Sequence, residues 1–157
     1  MEDKITNDEI GNGRASTYTT KQMGDACEML VAAELTLAGV PALKAPDYWP
    51  GYDVIAQPPG TTPQRISVKS RTFKRGAAFV QYSALDGFDW LAIVILSDEN
   101  PTGRQIFMIP RYVADQNART YSTEKTKNVR EFRIDEVARK FAAYENNFAL
   151  KRDRVIP

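Results

Sequence analysis

Three side chains near the middle of the chain have types and spacing suited to chemistry: Asp53, Ser67 and Lys69. They sit in two strand-like stretches, 52–56 and 65–70, joined by Gln57, Pro58, Pro59, Gly60, Thr61, Thr62 and Pro63. A linker of that composition turns the chain, and its prolines cannot sit inside a central strand. The spacing predicts a hairpin centred near residue 60 or 61, with Asp53 across from Ser67 or Lys69. Opposed side chains in such a pair lie about 4.5–5.5 Å apart at Cβ. Period-two alternation puts Ser67 and Lys69 on one face and Ile66 and Val68 on the other. A carboxylate, a hydroxyl and an ammonium then share a face, with an apolar face behind them. Held this way, they can position a metal ion and a charged oxygen. They can equally form an ordinary cross-strand ion pair.

What the sequence lacks narrows the chemistry. There is no histidine and only one cysteine, Cys27. That removes Ser-His-Asp and Cys-His catalysis, as well as zinc sites that need imidazole. Cys27 lies within a helical pattern and reads as a buried thiol rather than a nucleophile. Any metal would be held by oxygen, which selects Mg²⁺, Mn²⁺ or Ca²⁺. Hydrolysis of a phosphodiester uses such an ion to polarise the phosphoryl oxygen and acidify a water. Asp53 would be the principal ligand and the main-chain carbonyl of Val68 a second. Glu28 would hold the ion through water. Lys69 would orient the attacking water and stabilise charge on the phosphoryl oxygens.

The elements that must position these groups follow from periodicity. Residues 21–38 carry apolar side chains at three- and four-residue spacing, with Thr20 suited to cap the start and Gly39 the stop. Glu28 falls at the edge of that apolar stripe, where a plain solvated carboxylate is the alternative reading. A short strand is expected within 40–45, then a loop containing Tyr48 and Trp49. Residues 77–83 suit a strand or a helix start. The continuous apolar run 89–96 reads as a central strand covered on both faces. A further strand over 104–109, a short helix over 112–117 and a helix over 134–148 complete the pattern. Residues 1–19 have no periodicity and read as a flexible arm. Residues 20–150 read as one domain and 151–157 as a basic tail.

With 43% apolar and 26% charged residues, the 157-residue chain has an ordinary globular composition. No run of about 18 apolar residues offers a membrane span, and the polar N-terminus is unlike a signal peptide. A reducing cytoplasm fits the single cysteine.

Taken together, the pieces resemble a known family. A helix-borne glutamate, Glu28, precedes Gly51, Tyr52, Asp53, Val54 and Ile55, and then a strand running through Val68, Lys69, Ser70 and Arg71. This order is similar to that of the PD-(D/E)xK nuclease superfamily, in particular its small Holliday-junction-resolvase-like and homing-endonuclease-like branch. Gly24, Glu28, Leu35 and Gly39 are spaced as in the first helix of that branch. The stretches 88–94 and 106–110 resemble its fourth and fifth strands. The likeness spans roughly residues 21–113 and, more weakly, the final helix. It implies an α/β fold with a restriction-endonuclease-like central mixed β-sheet flanked by helices, of αβββαβ type. It also implies a Mg²⁺- or Mn²⁺-dependent endonuclease acting on DNA, with Glu28, Asp53, Ser67 and Lys69 at the catalytic positions. One residue departs from the pattern: the family has an acid, or sometimes glutamine, where this chain has Ser67. The first shell of ligands would then carry one carboxylate fewer.

Net charge is only +1, so any nucleic-acid signal must be local. Lys69, Arg71, Lys74 and Arg75 run together without an acid, and Phe73 lies among them. Phosphate contacts from Arg71, Lys74 and Arg75 would fix register without reading sequence, although a solvated loop accounts for them equally well. A second basic stretch over 119–133 is diluted by Glu124 and Glu131 and reads as surface. Trp49 and Tyr52 could stack on a base or simply anchor their loop. Besides the nuclease, two other functions stay open. One is a nucleic-acid-binding module whose turnover was lost with the acid. The other is a structural or interaction domain with no nucleic-acid role. A homodimer suits the nuclease, since cutting both strands of a duplex is simplest with two copies of one site.

Overall fold

A computed structural model of the chain describes residues 10–11, 14–15, 17–73, 78–97, 99–100 and 103–153. The elements are, in order, β1 (Ile10–Gly11), β2 (Arg14–Ala15), α1 (Thr20–Leu37), β3 (Ala42–Lys44), β4 (Val54–Ala56) and β5 (Gln64–Phe73). They continue with β6 (Phe79–Ser83), β7 (Trp90–Ser97), β8 (Gln105–Pro110), α2 (Arg111–Asn117), β9 (Val129–Arg133) and α3 (Ile134–Lys140). A single 3₁₀ turn, Ala142–Tyr144, follows α3. Strands β1 and β2 pair antiparallel inside the segment expected as an arm.

Helix α1 forms for the reasons its sequence suggests. Cys27, Val31 and Leu35 recur every four residues and are buried along one stripe. Its cap is Thr19 rather than the expected Thr20. The Thr19 hydroxyl accepts from the Gln22 N–H at 3.1 Å, and the Gln22 side chain accepts from the Thr19 N–H at 2.9 Å. At the other end Gly39 adopts φ +90°. The Val40 and Gly39 N–H groups donate to the Leu35 and Thr36 carbonyls, an arrangement that needs a left-handed residue at this position.

The main sheet has the strand order β3-β4-β5-β7-β8. β3, β4 and β5 are antiparallel neighbours, β5 and β7 are parallel, and β7 and β8 are antiparallel. The apolar run is the central strand β7, buried over its first six residues. Register places Ile66, Val68 and Ser70 beside Trp90, Ala92 and Val94. Most of these join α1 in one core. Ser67, Lys69 and Arg71 pair with Leu91, Ile93 and Ile95 and look the other way. On that side Val80, Phe132, Ile134, Val137 and Phe141 build a second core from the antiparallel β6–β9 ribbon and the segment around α3. Each fully buried large side chain contributes about 1.5–3 kcal/mol over leaving it exposed. Two cores thus hold β5 and β7 from both faces.

Some local expectations change. Residues 79–83 are strand, and β9 was not foreseen. The final helix stops at Lys140, well short of 148: Phe141 leaves helical geometry (φ −117°, ψ 23°), and only the 3₁₀ turn and positive-φ residues Asn146 and Leu150 follow. Of the expected basic tail, Arg152 is fastened to the sheet. Its guanidinium lies 4.9 Å from the centre of the Trp90 ring and donates to Gln64 Oε1 at 2.7 Å. Cys27 is buried, and burial pushes its thiol pKa up. No helix among the described residues is long and apolar enough to cross a membrane.

Candidate nuclease site

The site lies where β4 stops and β5 continues. β4 has three residues and β5 has ten, so the outer half of β5 loses its neighbour on that side. Val54 opposes Ile66, and Asp53 immediately precedes that pair. Asp53 is held at both its backbone and its side chain. Its N–H donates to the Ile66 carbonyl at 2.8 Å, and its own carbonyl accepts from the Ala45 N–H at 2.7 Å. Its carboxylate Oδ2 accepts from the Val68 N–H at 2.7 Å. The side chain therefore takes the hydrogen bond that a longer β4 would have made. In a strand, a residue's N–H and C=O project toward the same neighbour, so the Val68 carbonyl faces the same edge as Asp53.

Ser67 is buried, at 3% exposure. Lys69 is half-buried beside Ile93, and among the described residues it forms no hydrogen bond or ion pair. The simple cross-strand pair of Asp53 with Lys69 is not made. Asp53 spends one oxygen on Val68, and Lys69 has no ion-pair partner among the described residues. Arg71 is engaged with backbone: its guanidinium donates to the Phe79 carbonyl at 2.9 Å and the Ser70 carbonyl at 2.7 Å, tying β6 to β5. Lys74 and Arg75 lie outside the described residues. Much of the second basic stretch is paired locally, as in Arg119 with Glu136 and Lys127 with Glu124.

Helix α1 carries Glu28 to this edge, next to the core residue Cys27. Its side chain is only 17% exposed and meets the Lys44 ammonium at 3.2 Å. Burial raises the Glu28 pKa above the ordinary carboxylate value. Lys44 opposes that shift, while the charges of Asp53 and Asp25 reinforce it. Glu28 and Asp53 thus lie within electrostatic reach of each other.

The surroundings of Glu28 went unforeseen. Carboxylate oxygens of Asp25, Glu28 and Asp47 lie within 4.8 Å of one another. The Lys44 ammonium sits among them, 2.7 Å from Asp47, 3.2 Å from Glu28 and 3.9 Å from Asp25. Lys21 bridges Asp25 and Asp47 from outside, at 3.1 and 3.4 Å. These contacts, first with Asp47 and then with Glu28, raise the Lys44 pKa, and Lys44 is the main cause of the lowered pKa of Asp47. The i, i+3 spacing of Asp25 with Glu28 was a readable signal. The approach of Lys44 and Asp47 from another segment was not.

A hard divalent cation suits this donor set. One Asp53 oxygen is left over from the Val68 bond, the Val68 carbonyl faces the same edge, and Glu28 stands near. All are oxygen donors of the kind such ions select.

Solved structures share the overall fold of this chain. A bacterial homing endonuclease, I-Ssp6803I, aligns over 85% of this chain and 93% of its own, with a TM-score of 0.55 at 20% identity. The Holliday junction resolvase Hjc of Archaeoglobus fulgidus aligns over 73% of this chain and 90% of its own, with a TM-score of 0.43 at 16% identity. No family model and no curated protein matches the sequence. A five-stranded mixed sheet flanked by helices, together with the alignment to that homing endonuclease, gives this chain the restriction-endonuclease-like fold.

Proposed function

We propose that the protein is a divalent-metal-dependent endonuclease that hydrolyses DNA phosphodiester bonds at the edge of β5. The observation that carries the reading is the Asp53 carboxylate, fixed on the Val68 N–H at the end of β4 one residue from Lys69, and lying in the field of Glu28. Asp53 and the Val68 carbonyl hold Mg²⁺ or Mn²⁺, and Glu28 supports it from the helix through water. Once bound, the cation polarises the phosphoryl oxygen and acidifies a water. Lys69 donates to the attacking water and offsets charge that develops on the phosphoryl oxygens. That it has no partner among the described residues supports this role, since an ammonium already paired would have to be released first. In sequence, Lys74 and Arg75 continue the basic run that begins at Lys69, and they would hold flanking phosphates. Two copies would serve the two strands of a duplex.

Ser67 favours a second reading. A buried hydroxyl stands where the family pattern has an acid, so the scaffold could bind DNA without cutting it. Purified protein offered plasmid, linear and branched DNA with Mg²⁺ and with Mn²⁺ separates the two. Cleavage that Asp53→Asn and Lys69→Ala both abolish supports the nuclease. Binding that weakens with salt, with no cleavage under either ion, supports the binding module. Cleavage that survives in both variants rules out this site.

A further inference from the structure

The loop between β3 and β4 presents two large aromatic rings to solvent beside Asp53. Tyr48 is 83% exposed and Trp49 is 40% exposed. Surface aromatics are common on mobile loops, but this loop is fastened along its length. The Ala45 N–H to Asp53 carbonyl bond closes its neck, and the Trp49 N–H donates to the Pro46 carbonyl at 3.0 Å. Asp47 is bound by Lys44 and Lys21. Gly51 adopts φ +84° with its backbone pressed on the next turn, where a Cβ would lie 2.7 Å from the Gly87 nitrogen. Trp49 packs edge-on to Tyr52, with ring centres 5.8 Å apart. Backbone bonds, the Asp47 ion pairs and the close approach at Gly51 fasten the loop, and its two aromatic rings are left facing solvent.

We propose that Tyr48 and Trp49 form a stacking platform for an unstacked nucleobase close to the scissile phosphate. This rests on the nuclease reading and adds a substrate class to it, namely DNA with unpaired bases near the cut: single-stranded, forked or branched. The occupant follows from position. One end of the loop is Asp53 itself, and four residues of chain span at most roughly 14 Å. Phosphates follow one another about every 3.4 Å along a duplex strand, so a phosphodiester at Asp53 brings the bases of its near neighbours to the platform. Every base has a π face that an indole or phenol ring can cover, but a base inside a duplex has both faces already stacked. Only DNA with disrupted stacking can use the platform.

The sequence supplies its own probe. The chain has two tryptophans, and Trp90 is 1% exposed beneath Arg152, so Trp49 is the accessible one. The full chain is titrated without divalent ions with a single strand, a forked oligonucleotide and a blunt duplex. Tryptophan emission and DNA anisotropy are recorded together. The single strand and the fork should quench the Trp49 share of the emission, while the duplex should leave it nearly unchanged. Trp49→Ala should weaken binding of the single strand and fork by about 5- to 150-fold, the range measured for lost base stacking, and leave duplex binding as it was. Tyr48→Ala, at a position too exposed to threaten folding, should weaken the same two substrates. Equal quenching by all three DNAs, or binding unmoved in both variants, would overturn the platform. The nuclease reading would survive that result wherever Asp53-dependent cleavage is seen. Failure to bind any DNA would sink both.

Discussion

Replacing Asp53 in two ways separates its structural duty from its chemical one. Its carboxylate accepts from the Val68 N–H at 2.7 Å on a strand edge with no other partner there. Asp53→Ala removes a charged acceptor and strands a part-buried donor, which costs about 1–3 kcal/mol. In a chain of 157 residues each kcal/mol moves the midpoint by about 2–4 °C, so melting should fall by roughly 2–12 °C. Asp53→Asn keeps an oxygen in the same place and loses only the charge assistance, about half of the bond. Its midpoint should lie between wild type and Asp53→Ala. Activity should not follow that order. Both variants should lose cleavage by at least about 100-fold, since neither offers a carboxylate to the cation. The assay is a thermal melt in chelator, a second melt in Mn²⁺, and plasmid cleavage with Mg²⁺. Wild type should gain stability with Mn²⁺, by about 2.7 kcal/mol when the ion is at 100 times its dissociation constant, and the variants should not. If Asp53→Ala melts like wild type, or Asp53→Asn cuts DNA, the structural or the chemical half of this reasoning is wrong.

Lys69→Ala should abolish cleavage while moving stability by no more than about 0.5 kcal/mol, because no partner is lost; a large drop in melting temperature would mean that Lys69 is structural. Lys44→Met leaves Asp25, Glu28 and Asp47 with only Lys21 to neutralise them. Glu28, already raised by burial, should then rise further, and a carboxyl raised in the folded state costs stability above its folded pKa and stops doing so as pH falls. Urea melts of Lys44→Met should therefore strengthen from pH 7 toward pH 5 relative to wild type, and a parallel pH dependence would refute the reading of the cluster. Gly51→Ala forces a side chain into a left-handed conformation against the Gly87 backbone and should cost more than about 1–2 kcal/mol, read as a lower denaturation midpoint.

The parts of the fold that could be read in advance are those in which local pattern and tertiary role agree. Helix α1 buries the stripe its spacing marks out, and the unbroken apolar run of β7 is central, as burial on both faces requires. The turn-rich linker marked the antiparallel pairing of β4 with β5, which brings the Asp53 carboxylate to the Val68 N–H. Polar β9 hid because Glu131 is buried there by contacts from distant residues, accepting from Gln81 at 2.5 Å and from Tyr121. The final helix ended early although its apolar spacing runs on. There Asn147 donates to the Met108 and Lys151 carbonyls, which holds the chain in a turn that periodicity cannot register. At the site, Glu28 and Asp53 were legible as candidates, Glu28 from its place on a regular helix and Asp53 from its place immediately before a strand. Lys44 and Asp47 were not, since their role exists only after β3 and the following loop fold against α1.

The exposed flank of β5 has one more consequence. A strand that outruns its neighbour is a template on which another chain can anneal, the route to aggregates and fibrils. Here the Asp53 carboxylate occupies the Val68 N–H, and the Arg71 guanidinium occupies the next carbonyl facing that way, on Ser70. A foreign strand would have to displace both side chains before it could pair. The groups that frame the candidate site thus also keep the sheet from growing, and a variant that removes both should aggregate on standing before it unfolds on heating.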